Sequence, residues 1–197
     1  MTMPDAKRIR AIAGAILVFA ASAATAADWN LPELMQLLAQ NKAGKAIFVE
    51  KKYLGIIDKP IESSGELAFT APDRLEKRTF KPNPELLVLE GDSLTIDQPG
   101  RRRQTVSLQV HPEVSAFVES IRGTLAGDRA ALEKVYTLEL TGSVEKWQLL
   151  LVPTQARMQS IISRIRIGGS NADVRTIDFD QADGDRSEMV ITKVATR

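Results

Sequence analysis

The chain has 197 residues, of which 26% are charged and 5% aromatic, and its formal net charge at pH 7 is +1. This length and composition are typical of one soluble globular domain. The sequence contains no cysteine, which excludes a disulfide framework, thiol catalysis and lipidation at a lipoprotein-type cleavage site.

The N-terminal segment 1–26 predicts a secretory signal peptide. Three basic residues between positions 7 and 10 precede the apolar run 11–21, and the small residues Ala24 and Ala26 suit cleavage after Ala26. The alternative is an uncleaved membrane anchor, but this apolar run is shorter than the ~20 residues that a membrane-spanning helix needs. Because a leader of this kind directs export, we expect the mature protein in a bacterial periplasm.

The predicted mature chain, residues 27–197, is nearly neutral. Removing the leader subtracts three basic residues and one acidic residue from 26 and 25, which leaves 23 and 24. A domain that binds nucleic acid usually carries a basic face, so this balance argues against a nucleic-acid partner. Since no internal repeat or long linker divides the segment, we expect a single domain, and we expect it to be a monomer.

The first element of the mature chain is predicted to be a short amphipathic helix. Pro32 and Glu33 suit its first turn, and "NKAG" ends it. Its apolar residues recur at helical spacing and form one stripe, which consists of Leu31, Leu34, Met35 and Leu38.

The period then changes to two, which predicts six strands in succession. The first three are "KAIFVEKKYLGI", "IESSGELAFTAP" and "DRLEKRTFK", and the segment 85–110 holds three more, separated by the turns "EGDS" and "QPGRRR". Strands joined by such short turns indicate an antiparallel meander rather than βαβ units.

Two helices interrupt the strands. The longer one runs from Glu113 to Leu125 with Pro112 near its start, and Asp128 caps a second short helix, "RAALEKV". The apolar stripe of the longer helix consists of Val114, Phe117, Val118, Ile121 and Leu125. Five more strands follow, "YTLELTG", "KWQLLLVP", "QSIISRIRIGG", "DVRTIDFDQ" and "SEMVITKV".

These elements predict an α+β fold, in which a large antiparallel sheet curls into an incomplete β-barrel with the amphipathic helices as plug or lid. An open sheet of about 11 strands tends to curl because it is twisted. The apolar strand positions expected on its concave face are Leu67, Phe69, Leu87, Leu89, Leu94, Ile96, Leu149, Leu151, Ile165 and Ile167.

The longer helix has two interpretations. By itself its stripe is typical of packed core, but the concave face has more area than two short helices can fill. We therefore expect a cavity of the kind that suits an acyl chain. The helix residues expected to close it are Val114, Phe117, Val118 and Ile121.

No motif indicates catalysis. His111 is the only histidine, so a Ser-His-Asp triad would have to use it, yet it stands directly before a proline, and no G-x-S-x-G elbow precedes a helix. The acidic stretch "DFDQADGDRSE" predicts a hairpin turn, because EF-hand spacing from Asp178 puts Ala182 and Asp183 where a ligand and a glycine are needed. We expect a protein that is not an enzyme and that needs no cofactor or metal.

The basic turn "GRRR", with Arg101, Arg102 and Arg103, leaves two interpretations open. It is either a solvated hairpin tip or a docking point for an acidic partner or for anionic lipid headgroups.

From Leu31 to Val194 the sequence resembles the LolA-like family of periplasmic lipoprotein carriers. The resemblance lies in "SGELAFTAP", in "RLEKRTFKPNPELLVLEGDSLTIDQP", in the central helix and in "RIRIGGSNADVRTIDFDQADGDRSEMVITKV". It implies a carrier that takes an acylated lipoprotein or lipid from an inner-membrane donor protein towards an outer-membrane acceptor protein. The alternative is a periplasmic sensor or interaction domain that has the same fold and binds acylated ligands or a regulatory partner without transporting them.

The sequence departs from the family pattern at the expected lid contact. Family carriers usually have a basic residue, often Arg, just before the proline that ends this strand, where it helps to hold the lid, and Ala71 stands there instead. Positions that are often aromatic in the family are occupied by Ala68 and Lys77. These departures imply a divergent relative whose cargo is either a lipoprotein or another lipid.

Overall fold

The computed structural model describes residues 29–110 and 112–194. The predicted signal peptide and His111 lie outside these residues, so the expectations about them remain predictions.

The first predicted helix is present as α1 (Leu31–Leu38), and Asn30, which the sequence analysis did not single out, caps its N-terminus. The backbone N–H of Glu33 donates to the Asn30 side chain at 3.2 Å, which satisfies one of the free amide groups of the first turn. Leu34, Met35 and Leu38 are buried on one face. The helical spacing of these side chains therefore directs them into the core, and Leu31, the fourth residue of the stripe, is partly buried against it.

The six strands predicted after α1 are present. They are β1 (Ala43–Tyr53), β2 (Ile61–Thr70), β3 (Arg74–Lys81), β4 (Glu85–Glu90), β5 (Ser93–Asp97) and β6 (Gln104–Ser107). Each pairs antiparallel with the next, which confirms the predicted meander. A single 3-10 turn at Leu108–Val110 leads from the last of them to the helices.

Helices α2 (Pro112–Ala126) and α3 (Arg129–Glu133) follow. Between them Gly127 has a φ of +66° and lies against α1, where a Cβ atom would be only 2.1 Å from the Met35 carbonyl oxygen. Only glycine fits this close approach. The Asp128 side chain then accepts a hydrogen bond from the Ala131 backbone N–H at 2.9 Å and caps α3, as predicted.

The remaining strands are β7 (Tyr136–Ser143), β8 (Lys146–Pro153), β9 (Ile162–Ser170), β10 (Asp173–Gln181) and β11 (Arg186–Lys193). A short helix, α4 (Ala156–Gln159), precedes β9. The sequence interpretation missed this helix and began the strand too early, at Gln159. The break after Pro153 was predicted, but the helix has only four residues, which is too short to show a helical apolar period.

The strands form one sheet in the order β6-β5-β4-β3-β2-β1-β11-β10-β9-β8-β7. Its centre is the antiparallel pair β1–β11, in which Ala46 lies opposite Lys193 and Tyr53 opposite Arg186. The two edge strands, β6 and β7, are not paired with each other in the part of the chain that the structure describes. The sheet is therefore an incomplete barrel, as expected, with α2 and α3 connecting its two edges.

The buried core is concentrated in one half of this sheet. It joins α1 to β7, β8 and β9, and its members are Leu34, Met35, Leu38, Leu132, Tyr136, Trp147, Leu149, Leu151, Met158, Ile162, Ile165 and Ile167. Trp147 lies deep in this core and donates its indole N–H to the Asn171 carbonyl at 2.9 Å. None of the helices in the described ranges has the length and apolar character that crossing a bilayer requires.

Candidate functional site: a cavity under helix α2

A cavity of about 580 Å³ lies between the concave face of the sheet and α2. This volume is within the ~300–1,000 Å³ range of small-molecule sites. The larger apolar side chains that line it from the strands are Leu67, Phe69, Leu75, Leu87, Leu89, Leu94, Ile162, Val174, Ile177, Phe179, Met189 and Ile191. The cavity thus occupies the half of the sheet that α1 leaves uncovered.

Strand register explains why the floor of the cavity is apolar. Phe69 on β2 lies opposite Leu75 on β3, and Leu75 lies opposite Leu89 on β4. Directly opposed residues point to the same face of a sheet. A continuous row of apolar side chains therefore crosses three strands, and Leu94 on β5 continues it.

The roof of the cavity is the apolar stripe of α2. Val114, Phe117, Val118, Ile121 and Leu125 line the cavity. The Phe117 ring meets the Phe179 ring of β10 edge to face, with centroids 4.8 Å apart and planes at 74°. Such a contact stabilises by ~0.5–1.5 kcal/mol beyond burial and connects the roof to the sheet.

Away from its apolar stripe, α2 makes polar contacts with the β4–β5 turn. Arg122 donates to the Gly91 carbonyl in the β4–β5 turn at 2.9 Å and forms an ion pair with Glu119. The sequence analysis did not predict this contact, because the family resemblance places the basic residue at position 71, directly after β2, where Ala71 stands. In this chain the basic residue that connects helix and sheet belongs to α2, and no local sequence pattern marks Arg122 as the donor.

A buried tyrosine lies under the same helix. Tyr136 on β7 is 1% exposed and forms a hydrogen bond with Ser120 of α2. Burial raises the pKa of Tyr136 to about 12, and the Ser120 hydrogen bond opposes this shift. A neutral, hydrogen-bonded phenol thus joins α2 to β7.

The structure brings nine of the predicted cavity residues together on the wall. They are Leu67, Phe69, Leu87, Leu89, Leu94, Val114, Phe117, Val118 and Ile121. That they contact a lipid remains a prediction.

Five residues predicted to line the cavity lie elsewhere. Leu149, Leu151, Ile165 and Ile167 belong to the core with α1 and are at most 1% exposed. Ile96 is half-buried on β5 and lies outside the cavity lining. The expectation failed for the first four because α1 covers that half of the concave face, which strand alternation alone does not reveal.

Sequence reasoning also missed the wall contributed by the last two strands. Ile177 and Phe179 alternate with Asp178 and Asp180 on β10, so the apolar pair faces the cavity while the carboxylates face outwards to Arg164 and Arg166 on β9. The alternation is present in "TIDFD", in which apolar and acidic residues follow one another with the period of a strand.

One charged pair lies on the apolar floor. The Lys77 ammonium is 2.5 Å from a Glu50 carboxylate oxygen and 4.9 Å from the centroid of the Phe48 ring. Ser63 donates to the same Glu50 oxygen at 3.3 Å. Glu50 and Lys77 both line the cavity, and their side chains are 17% and 28% exposed.

The basic turn and the acidic stretch both lie in hairpins. Arg101, Arg102 and Arg103 are exposed between β5 and β6, and Arg103 pairs with Asp97 at 2.7 Å. The segment 182–185 forms the predicted turn between β10 and β11, with Gly184 at a φ of +94°. Within the described ranges, no group of three or more acidic, histidine or cysteine side chains is arranged to hold a metal ion.

The fold is thus an incomplete antiparallel barrel whose apolar cavity is covered by a helix. The family model described as "Outer membrane lipoprotein carrier protein LolA-like" matches residues 20–197, and the chain belongs to that family. It is also 26% identical over 136 residues to an outer-membrane lipoprotein carrier protein of Dechloromonas aromatica (strain RCB). That alignment covers 69% of this chain and 62% of the length of the curated relative.

Two solved structures are among the similar ones. A LolA superfamily protein from Nitrosomonas europaea aligns with a TM-score of 0.43 and 9% identity, covering 86% of this chain and 95% of that one. A putative outer membrane lipoprotein-sorting protein domain from Vibrio parahaemolyticus has a TM-score of 0.42 and 11% identity, with coverage of 85% and 92%.

Proposed function

We propose that this protein is a periplasmic carrier that binds the acyl chains of a lipoprotein or lipid in the cavity under α2 and moves its cargo towards the outer membrane. The observation that carries this proposal is the cavity itself, whose floor and roof are lined mostly by aliphatic and aromatic side chains. Membership of the LolA-like carrier family supports it.

The physical task of such a carrier is to keep methylene groups away from water. Each buried CH₂ contributes ~0.8 kcal/mol, so an acyl chain of ordinary length cannot cross the periplasm unassisted. An apolar cavity offsets this cost without any chemical step. The proposed mechanism therefore needs no catalytic residue, cofactor or metal.

Exchange of cargo would depend on α2. Phe117 faces Phe179 across the roof, and Arg122 connects the helix to the β4–β5 turn. Outward movement of α2, a helix of 15 residues, would break these contacts and the Tyr136–Ser120 hydrogen bond and would open the cavity. An inner-membrane donor protein would load the opened cavity, and an outer-membrane acceptor protein with tighter binding would empty it.

The test is native mass spectrometry of the protein expressed with its leader and purified from the periplasm of its host. We expect a mature chain that begins at Ala27 and carries an acylated molecule. A protein that is empty and that also fails to bind added acyl chains would contradict the proposal. A protein that holds lipid but does not pass it to acceptor vesicles would favour the sensor alternative.

A further inference from the structure

Lys77 occupies an unusual position on the cavity floor. On β3 it lies opposite Leu67 on one side and Leu87 on the other, within an otherwise apolar row. A buried charge in such surroundings is costly unless it is paired. Glu50 supplies the partner, and the pair is part of the cavity wall.

The Lys77 ammonium has spare hydrogen-bonding capacity. A lysine carries three N–H donors. Within the described ranges Glu50 is the only hydrogen-bond acceptor for Lys77, and the Phe48 ring is its other neighbour. An oxygen anion that enters the cavity beside Lys77 could therefore bind to this ammonium next to Glu50 or in its place.

A second lysine lies on the same side of the cavity. Lys52 follows Glu50 by two residues on β1, so it points to the same face about 7 Å further along the strand. It lines the cavity, and it has no ion pair within the described residues. Lys52 and Lys77 thus lie on either side of a single carboxylate.

The remaining charges of the wall do not cancel this excess. Asp173 pairs with Lys193 at 2.6 Å and Glu76 with Arg74 at 2.7 Å, so both carboxylates are already neutralised. Among the described residues of the wall, four lysines face three carboxylates. The lysines and carboxylates that line the cavity therefore sum to a formal charge of +1.

We infer that Lys77, with Lys52, forms a headgroup subsite, and that the cavity prefers amphiphiles whose acyl chain ends in an oxygen anion, either a carboxylate or a phosphate. The acyl chain of the ligand lies under α2, between Leu67 on the floor and Phe117 on the roof. Its anion binds the Lys77 ammonium in competition with Glu50. This inference rests on the proposed function and narrows its ligand class. It differs from a purely structural role for the ion pair, which would leave ligand preference unchanged.

The test is displacement of an apolar fluorophore from the lipid-free protein by three amphiphiles that share one alkyl chain length. They are laurate, dodecyl phosphate and the neutral ester methyl laurate. We expect at least one of the anions to bind about tenfold more tightly than the ester, because hydrogen bonds to a charged group are the stronger ones. The better of the two anions identifies the headgroup.

Substitutions at Lys77 and Glu50 test whether this ion pair causes the preference for anions. Lys77→Gln should remove the advantage of the anion, a loss of about tenfold, and leave methyl laurate binding unchanged. Glu50→Gln should strengthen anion binding, because it removes the competing carboxylate. Lys193→Gln is the matched control, since it is also a paired lysine on the wall, and it should keep the wild-type preference.

The outcomes separate the two levels of the proposal. Equal binding of the anions and the ester by the wild type, or equal losses in Lys77→Gln and Lys193→Gln, would overturn the headgroup subsite and leave the carrier proposal standing. Failure of all three amphiphiles to displace the fluorophore would count against the carrier proposal itself. If Lys77→Gln does not fold, Glu50→Gln decides, and weaker anion binding in that variant would overturn the subsite.

Discussion

The two halves of the curled sheet present the same alternating pattern to the concave side but are covered differently. Strands β7 to β9 pack against α1, and Leu149 on β8 is 0% exposed. Strands β2 to β5 face the cavity, and Leu87 on β4 remains half-buried. One half, called here the packed half, thus supplies most of the buried core, and the other, the hollow half, borders the cavity.

The largest expected effect contrasts equivalent leucines in the two halves. Leu149→Ala should lower the free energy of unfolding by ~2–5 kcal/mol, because it leaves a void in a fully packed site. Leu87→Ala should cost less than ~2 kcal/mol, since its side chain already borders empty space. Urea unfolding of the lipid-free proteins measures both. Equal losses would show that the hollow half is packed core.

The next effect tests the packed half through pH. Because the pKa of Tyr136 is raised from 10.0 to about 12, the phenol ionises in the unfolded chain before it does so in the folded one. The folded state then binds more protons, so stability falls as pH rises through this window. The loss contributed by Tyr136 should reach about 2–3 kcal/mol, since one pKa unit corresponds to about 1.4 kcal/mol.

The measurement is unfolding free energy of the wild type and Tyr136→Phe between pH 10 and 12. As pH rises, the unfolding free energy of the wild type should fall more than that of Tyr136→Phe. A Tyr136→Phe curve parallel to the wild-type curve would mean that this phenol is not buried as described.

A smaller effect on stability is expected at the roof of the hollow half. Phe117→Ala should cost less than the ~3 kcal/mol that marks the lower limit for such a change in packed core, and an apolar dye should enter the cavity more readily. Phe117→Glu should abolish lipid binding while the protein still folds, because a carboxylate at the edge of a cavity can reach water. Dye binding and thermal melting of both variants are the measurements. If Phe117→Glu does not fold and the wild type binds no apolar dye, α2 is packed core and does not act as a lid.

The smallest effect on stability concerns the basic turn at the β6 edge. Replacing Arg101, Arg102 and Arg103 with Ser should leave the melting temperature nearly unchanged, since exposed charges contribute little. If the turn docks a partner, lipid transfer in cells should fall in this variant. Normal transfer would leave it as a solvated hairpin tip.

Much of the fold could be predicted because local patterns dictate the elements. Alternation in "GELAFT" specifies a half-buried strand, and the three- and four-residue spacing of Val114, Phe117, Val118 and Ile121 specifies a helix face. The number of strands and their antiparallel order followed from the short turns between them. The family resemblance predicted from the same segments is confirmed for nearly the whole chain.

Local sequence patterns could not predict which part of the sheet each helix covers. The stripe of α1 is apolar enough to cover any part of a concave sheet, and only its packing against Leu149 and Ile165 assigns it to one half. Likewise, nothing near Glu50 in sequence indicates that its partner is Lys77, which lies 27 residues away.

The sequence by itself thus determined which side of each strand and helix is apolar, because that depends only on the periods of the backbone. The tertiary structure alone decided which apolar faces meet one another and which remain open. The reason is that the fit of α1, with Gly127 against the Met35 carbonyl, and the register of β1 with β11 depend on contacts between distant residues. The cavity and its charged pair are the part of the concave face that those long-range contacts left uncovered.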